Sequence, residues 1–109
     1  MKLNEIAGKL NLKEFAPPQS GETIVTGGYT SDMLSDVIAN SEKDGVWVTI
    51  QTHSNVIAVA SLKDLAAIVM AGGHEPNAET IELAKKKGVC VLGTPKSAFE
   101  ITGELFKLI

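Results

Sequence analysis

Four apolar runs, over residues 23–26, 46–50, 66–71 and 89–92, each stop at small polar residues and give way to helical spacing. Met33, Leu34, Val37 and Ile38 recur at i, i+1, i+4 and i+5, which predicts an amphipathic helix over 31–40 capped by Thr30 or Ser31. The helix predicted over 55–64 is apolar on nearly every side, with Val56, Ile57, Ala58, Val59, Ala60 and Leu62. Such a helix is buried on more than one face, or against another subunit. The helix over 77–87 opens at Pro76 and Asn77, carries Glu79 and Glu82 early and Lys85, Lys86 and Lys87 last, and stops at Gly88. Those charges match the helix dipole, so the lysines read as a solvated face rather than an anion site. A last helix over 95–108 carries Ala98, Phe99, Leu105 and Phe106. Ahead of this rhythm stand a short helix over 3–10, a short strand over 12–15 and a loop over 16–21 with two prolines.

Strands alternating with helices mean a parallel sheet covered on both faces. The expected architecture is α/β: a three-layer sandwich around a mainly parallel sheet of four to five strands, in one domain over 1–109. The four polar turns then share the C-terminal edge of the sheet, where open α/β sheets bind ligands.

Composition narrows the chemistry. The chain has 109 residues, 44% hydrophobic and 21% charged, with a net charge of −3. No basic field or aromatic platform exists to collect nucleic acid. The single cysteine, Cys90, lies in an apolar run and reads as a small buried hydrophobe. With no disulfide within the chain, no membrane-spanning stretch and no signal-peptide core at the N-terminus, the expected location is the cytoplasm.

At the turns, backbone N–H groups at helix N-termini offer sites for an anion. Gly27-Gly28 and Gly72-Gly73 let the backbone approach a ligand or take positive φ, or else make tight turns. Gln51-Thr52-His53-Ser54-Asn55 is the densest polar cluster, richer than a turn needs. There His53 contacts an anion or bonds locally; His74 reads as a local contact. Asp32 and Asp36 stand at i, i+4, Asp32 serving the helix dipole and Asp36 facing water. No phosphate loop, nucleophile elbow or metal-ligand set is present. Neither a catalytic constellation nor a cofactor is therefore expected.

Thr26-Gly27-Gly28 with the following segment to Asp36, Trp47 to His53, and Gly93-Thr94-Pro95 with Ala98-Phe99 resemble the DRTGG domain family. Ile24 and Val25 stand where that family's motif has Asp and Arg. The resemblance implies a fold like the N-terminal domain of HPr kinase/phosphorylase. It also implies a non-catalytic regulatory or assembly module, of the kind attached to phosphotransacetylase and to CBS-containing pyrophosphatases. The expectation is a homodimer that takes a small anionic metabolite or nucleotide at Gly27, Gly28, Ser31, Thr52, His53, Asn55, Gly73 and Thr94. The alternatives are docking to a partner enzyme without a small ligand and, least favoured, a small enzyme acting on a phosphorylated substrate.

Overall fold

Apolar side chains alternate along the central strands and build two cores, one on each face of a single sheet. The computed structural model describes residues 1–109. In chain order the elements are α1 (Leu3–Lys9), β1 (Lys13–Ala16), β2 (Gly27–Thr30), α2 (Leu34–Asn40) and β3 (Gly45–Thr49). They continue with α3 (Asn55–Leu62), β4 (Ala67–Met70), α4 (Ala78–Lys87), β5 (Val91–Gly93) and α5 (Ala98–Leu108). The strand order is β1-β5-β4-β3-β2. Strands β2 to β5 are mutually parallel, and β1 closes the far edge antiparallel to β5.

Val46, Val48, Ala67, Val69 and Leu92 point to one face, where Leu3 and Ile6 of α1 and Ile101 and Leu105 of α5 cover them. Trp47, Ile68, Met70 and Val91 point to the other, under Val37 of α2, Val56 and Ile57 of α3 and Ala84 of α4. Both faces of β3 and β4 are buried, which is why these strands read as unbroken apolar runs. The expected three-layer α/β sandwich is the observed one. No helix is long and apolar enough to cross a membrane.

The helix ends follow local chemistry. Asn77 caps α4 by accepting from Thr80 N–H, and Gly88 closes it in the left-handed conformation at φ 69°. Ser97 and Glu100 form a reciprocal capping box at the start of α5. By contrast α2 starts at Met33 without a side-chain cap, and Ser31 Oγ instead accepts from Met33 N–H before the helix begins.

One expectation is corrected, and for the apolar helix the first of two alternatives is met. The second strand is Gly27–Thr30, not the apolar run over 23–26. Val25 N–H donates to Met1 O and Leu3 N–H to Thr23 O, so that run is spent on the N-terminal segment. The parallel register then opens with Gly27 opposite Gly45, and the glycine pair starts a strand rather than ending one. Helix α3 lies in the middle of its layer, with Val56, Ile57, Val59 and Ala60 buried inside the chain. Its apolar girth serves this domain's own core and is no sign of a subunit contact.

Cys90 is buried among the side chains under α1 and α5. Burial first, and the charge of Glu14 second, push its thiol up to about 12. The native chain should therefore resist a thiol reagent at pH 8 and react only on unfolding. Rapid labelling of the folded protein would show that this layer opens.

Candidate functional site

The C-terminal edge carries Ser31, Thr52, His53, Asn55, Gly73 and Thr94, as the strand register demands. Several of its polar groups, however, are engaged within the chain. Thr49 Oγ1 and Ile50 N–H both donate to Asp32 Oδ1, at 2.8 and 3.0 Å. Gln51 Nε2 donates to Asp32 O, and Gln51 N–H to Thr49 Oγ1. Asp32 thus places a fixed carboxylate where an anionic ligand was expected. Ser31 O accepts from Trp47 Nε1, which ties the turn to the core.

His53 is exposed, and its Nδ1 accepts the N–H of Asn55 at 3.1 Å. It takes the capping role at the start of α3, where Ser54 makes no side-chain cap bond. Gly72 and Gly73 both take positive φ, 71° and 75°, so this pair is required by the turn. Their N–H groups donate to Lys96 O and Thr94 O. Those two bonds pin the β4–α4 connection to the β5–α5 connection. These connections leave the sheet toward opposite faces, the arrangement that in open sheets forms a ligand crevice. Here a hollow of about 120 Å³ remains, beside Gly73, Thr94 and Phe15. No cavity is lined by Thr52 or His53.

Gly27 and Gly28 lie at the opposite end of β2 from that edge, so the eight expected residues do not form one site. They line a larger space instead. On the face covered by α5, a cleft of about 510 Å³ runs between the C-terminal half of that helix and β2. Gly28, Val46, Val48, Leu105, Phe106 and Ile109 give it apolar walls, and the Thr30 and Thr102 hydroxyls bond across it at 2.7 Å. On the other face a polar hollow of about 230 Å³ lies between β2 and the end of α2, lined by Asn40, Ser41 and Glu42. Between the two, the strand at Gly27-Gly28 is bare backbone.

Neither glycine takes positive φ. A Cβ at Gly27 would meet nothing within 4 Å, and one at Gly28 only Val46 O at 3.3 Å. Glycine weakens a strand, so the fold alone gives little reason for this pair. Close approach of another molecule would give one.

Phe106 and Ile109 of the cleft were not among the expected site residues. Phe99 and Phe106, two of the apolar residues that the last helix carries, are 88% and 84% exposed. Ile101 and Leu105, one turn apart, take the inward face. The Ser97–Glu100 capping pair fixes the helix start but not its rotation.

Tyr29 OH donates to Asp36 Oδ1 at 2.8 Å, and Asn40 Nδ2 donates to the same oxygen at 2.8 Å. The Ser31 hydroxyl, then Tyr29 and Asn40, hold the Asp36 carboxyl below its ordinary value. The bond to Asp36 in turn holds the Tyr29 hydroxyl above its own. Asp36 therefore fastens α2 to β2 rather than simply facing water.

The profile of the DRTGG domain family matches residues 9–108. Among solved structures, the chain is similar to the CBS and DRTGG domains of the regulatory region of Clostridium perfringens pyrophosphatase, solved with its activator diadenosine tetraphosphate. The TM-score is 0.76 at 19% identity, over 94% of this chain and 44% of that one. The chain therefore spans under half the length of that regulatory region, and the likeness is one of fold. No curated protein matches the chain.

Proposed function

The chain belongs to the DRTGG domain family, and from that premise we propose a non-catalytic regulatory module that pairs with a second copy and takes a nucleotide-like ligand between β2 and α5. The observation that carries this reading is the glycine pair, bare without a backbone reason, beside a cleft of ligand size. Gly28 lets a flat ring approach the strand, Val46, Val48 and Phe106 offer it apolar contact, and the Thr30 and Thr102 hydroxyls supply hydrogen bonds. No Asp, Glu, Lys, Arg or His side chain lines this cleft, so the base of a nucleotide would enter and its phosphates would stay in solvent. The regulatory region in the similar structure holds a nucleotide activator, which supports the ligand class. Ser31, Thr52, His53, Asn55, Gly73 and Thr94 then serve the turns rather than the ligand.

A thermal-shift and calorimetry panel of adenosine, its monophosphate and diadenosine tetraphosphate tests the reading. A ligand at a hundred times its dissociation constant adds about 2.7 kcal/mol of stability. Gly28→Val, whose side chain would enter the cleft, should fold and lose that response. If the wild type ignores every nucleotide, or Gly28→Val responds as the wild type does, the ligand reading falls.

Gly27→Val tests the glycine argument separately. Its side chain enters open space, so it should stabilise the free domain by about 0.5–1 kcal/mol in chemical denaturation. A destabilised variant would mean that the fold itself requires this glycine.

An assembly module without a small ligand is the second reading, favoured by Phe106, an aromatic side chain left 84% exposed on the rim of the cleft.

A further inference from the structure

The two edges of the sheet are built differently. β1, at one end, carries Lys13 and Glu14, and its register shifts between Glu14 and Ala16. Charges and an irregular register are the usual guards of an exposed strand edge. β2, at the other end, reads Gly-Gly-Tyr-Thr, with no charge, no proline and an unbroken four-residue register to β3. Ser31 N–H donates to Val48 O, so strand alternation turns the N–H and C=O groups of Gly28 and Thr30 away from β3. Nothing in the chain pairs with that side.

Beside this edge stand a hole and a knob that do not fill each other. The cleft of about 510 Å³ is the hole, and Phe106 on its rim, with Ile109 40% exposed next to it, is the knob. A surface that carries both halves of a contact is what a two-fold interface requires, because each copy supplies the knob to the other's hole.

We infer that two copies of this chain meet edge to edge through antiparallel β2 strands, with the Phe106 of each closing the mouth of the other's cleft. This specifies the pairing on which the proposed function rests. About a two-fold axis near Gly28 the bare backbones face each other, and residues of like facing lie opposite, so both α5 helices fall on one side. Charge selects a second copy for this place. Each chain carries −3, yet no Asp, Glu, Lys, Arg or His lines the cleft or lies in β2, so like charges do not meet there.

Sedimentation of the full chain without nucleotide tests this contact apart from the ligand reading, which the nucleotide panel addresses alone. The wild type should sediment at twice its 11.5 kDa chain mass at micromolar to submillimolar concentration. Phe106→Asp alters an exposed position, so it should keep the wild-type circular dichroism while weakening the dimer by at least about 30-fold. Leu62→Asp, 67% exposed on α3 in the opposite layer, should leave the dimer intact. A wild type that stays monomeric overturns the inference and the pairing it specifies. A dimer that survives Phe106→Asp overturns the inference alone and places the pairing elsewhere. A dimer broken equally by Leu62→Asp does the same.

Discussion

Replacing Trp47 by alanine should lower the thermal midpoint of the domain by about 15–25 °C, more than truncating any other single side chain of this core. Trp47 is the chain's one tryptophan, fully buried on β3 in the core under α2, α3 and α4. Removing a buried ring costs about 3–5 kcal/mol, because the lost apolar contact is compounded by a cavity the surroundings only partly fill. A domain of this size has a total stability of about 5–15 kcal/mol, so the variant will be marginal. The indole also donates Nε1–H to Ser31 O at 2.8 Å, the bond that ties the β2–α2 turn to the core. Trp47→Phe separates the two contributions, since it retains most of the apolar volume and loses the bond. It should cost about 1–2 kcal/mol. Far-ultraviolet circular dichroism is the suitable probe, since the substitution removes the fluorophore. An alanine variant that melts with the wild type would show that β3 does not organise this layer.

Gly93→Val should destabilise by about 2–3 kcal/mol, by overpacking rather than by a cavity. Gly93 ends β5 opposite Lys13 of β1, and the Phe15 ring lies across it, so that an added Cβ would run into the ring. The ring is held there in part by Lys13, whose ammonium sits 5.0 Å from its centroid. A second substitution, Phe15→Ala, should therefore recover part of the loss in the Gly93→Val background. Purely additive costs would place the strain elsewhere. The same glycine-to-valine change thus carries opposite signs at two strand positions, stabilising at Gly27 and destabilising at Gly93. What differs is the space beyond the backbone.

That difference explains why the fold was more fully legible in the sequence than the site. The continuous apolar runs of β3 and β4, with a helix after each, already implied a sheet buried on both faces. For α4 even the ends were legible, because the Asn77 cap and the Gly88 stop are local chemistry. The edge strand was harder. Gly-Gly-Tyr-Thr has little apolar character and looks like a turn, while the run before it looks like a strand. Only the N-terminal segment's claim on Thr23 and Val25 moves the strand four residues along. That shift carries Gly27 and Gly28 from the end of the strand to its beginning.

The C-terminal edge, where an anion was expected, was harder to read for a similar reason. Hydroxyls, amides and glycines were correctly placed along that edge, but a sequence does not say which of them are already bonded. Asp32 takes Thr49 and Ile50, and Gly72 and Gly73 donate to the β5–α5 connection.

By itself the sequence determined the order of the elements, the two-faced sheet and most helix ends, because these depend on periodicity and on neighbours a few residues away. The tertiary structure alone decided which polar groups remain free, which side of α5 faces water and which edge of the sheet stays open. Those properties depend on what lies across the fold, and residues as far apart in the chain as Thr30 and Thr102 meet there.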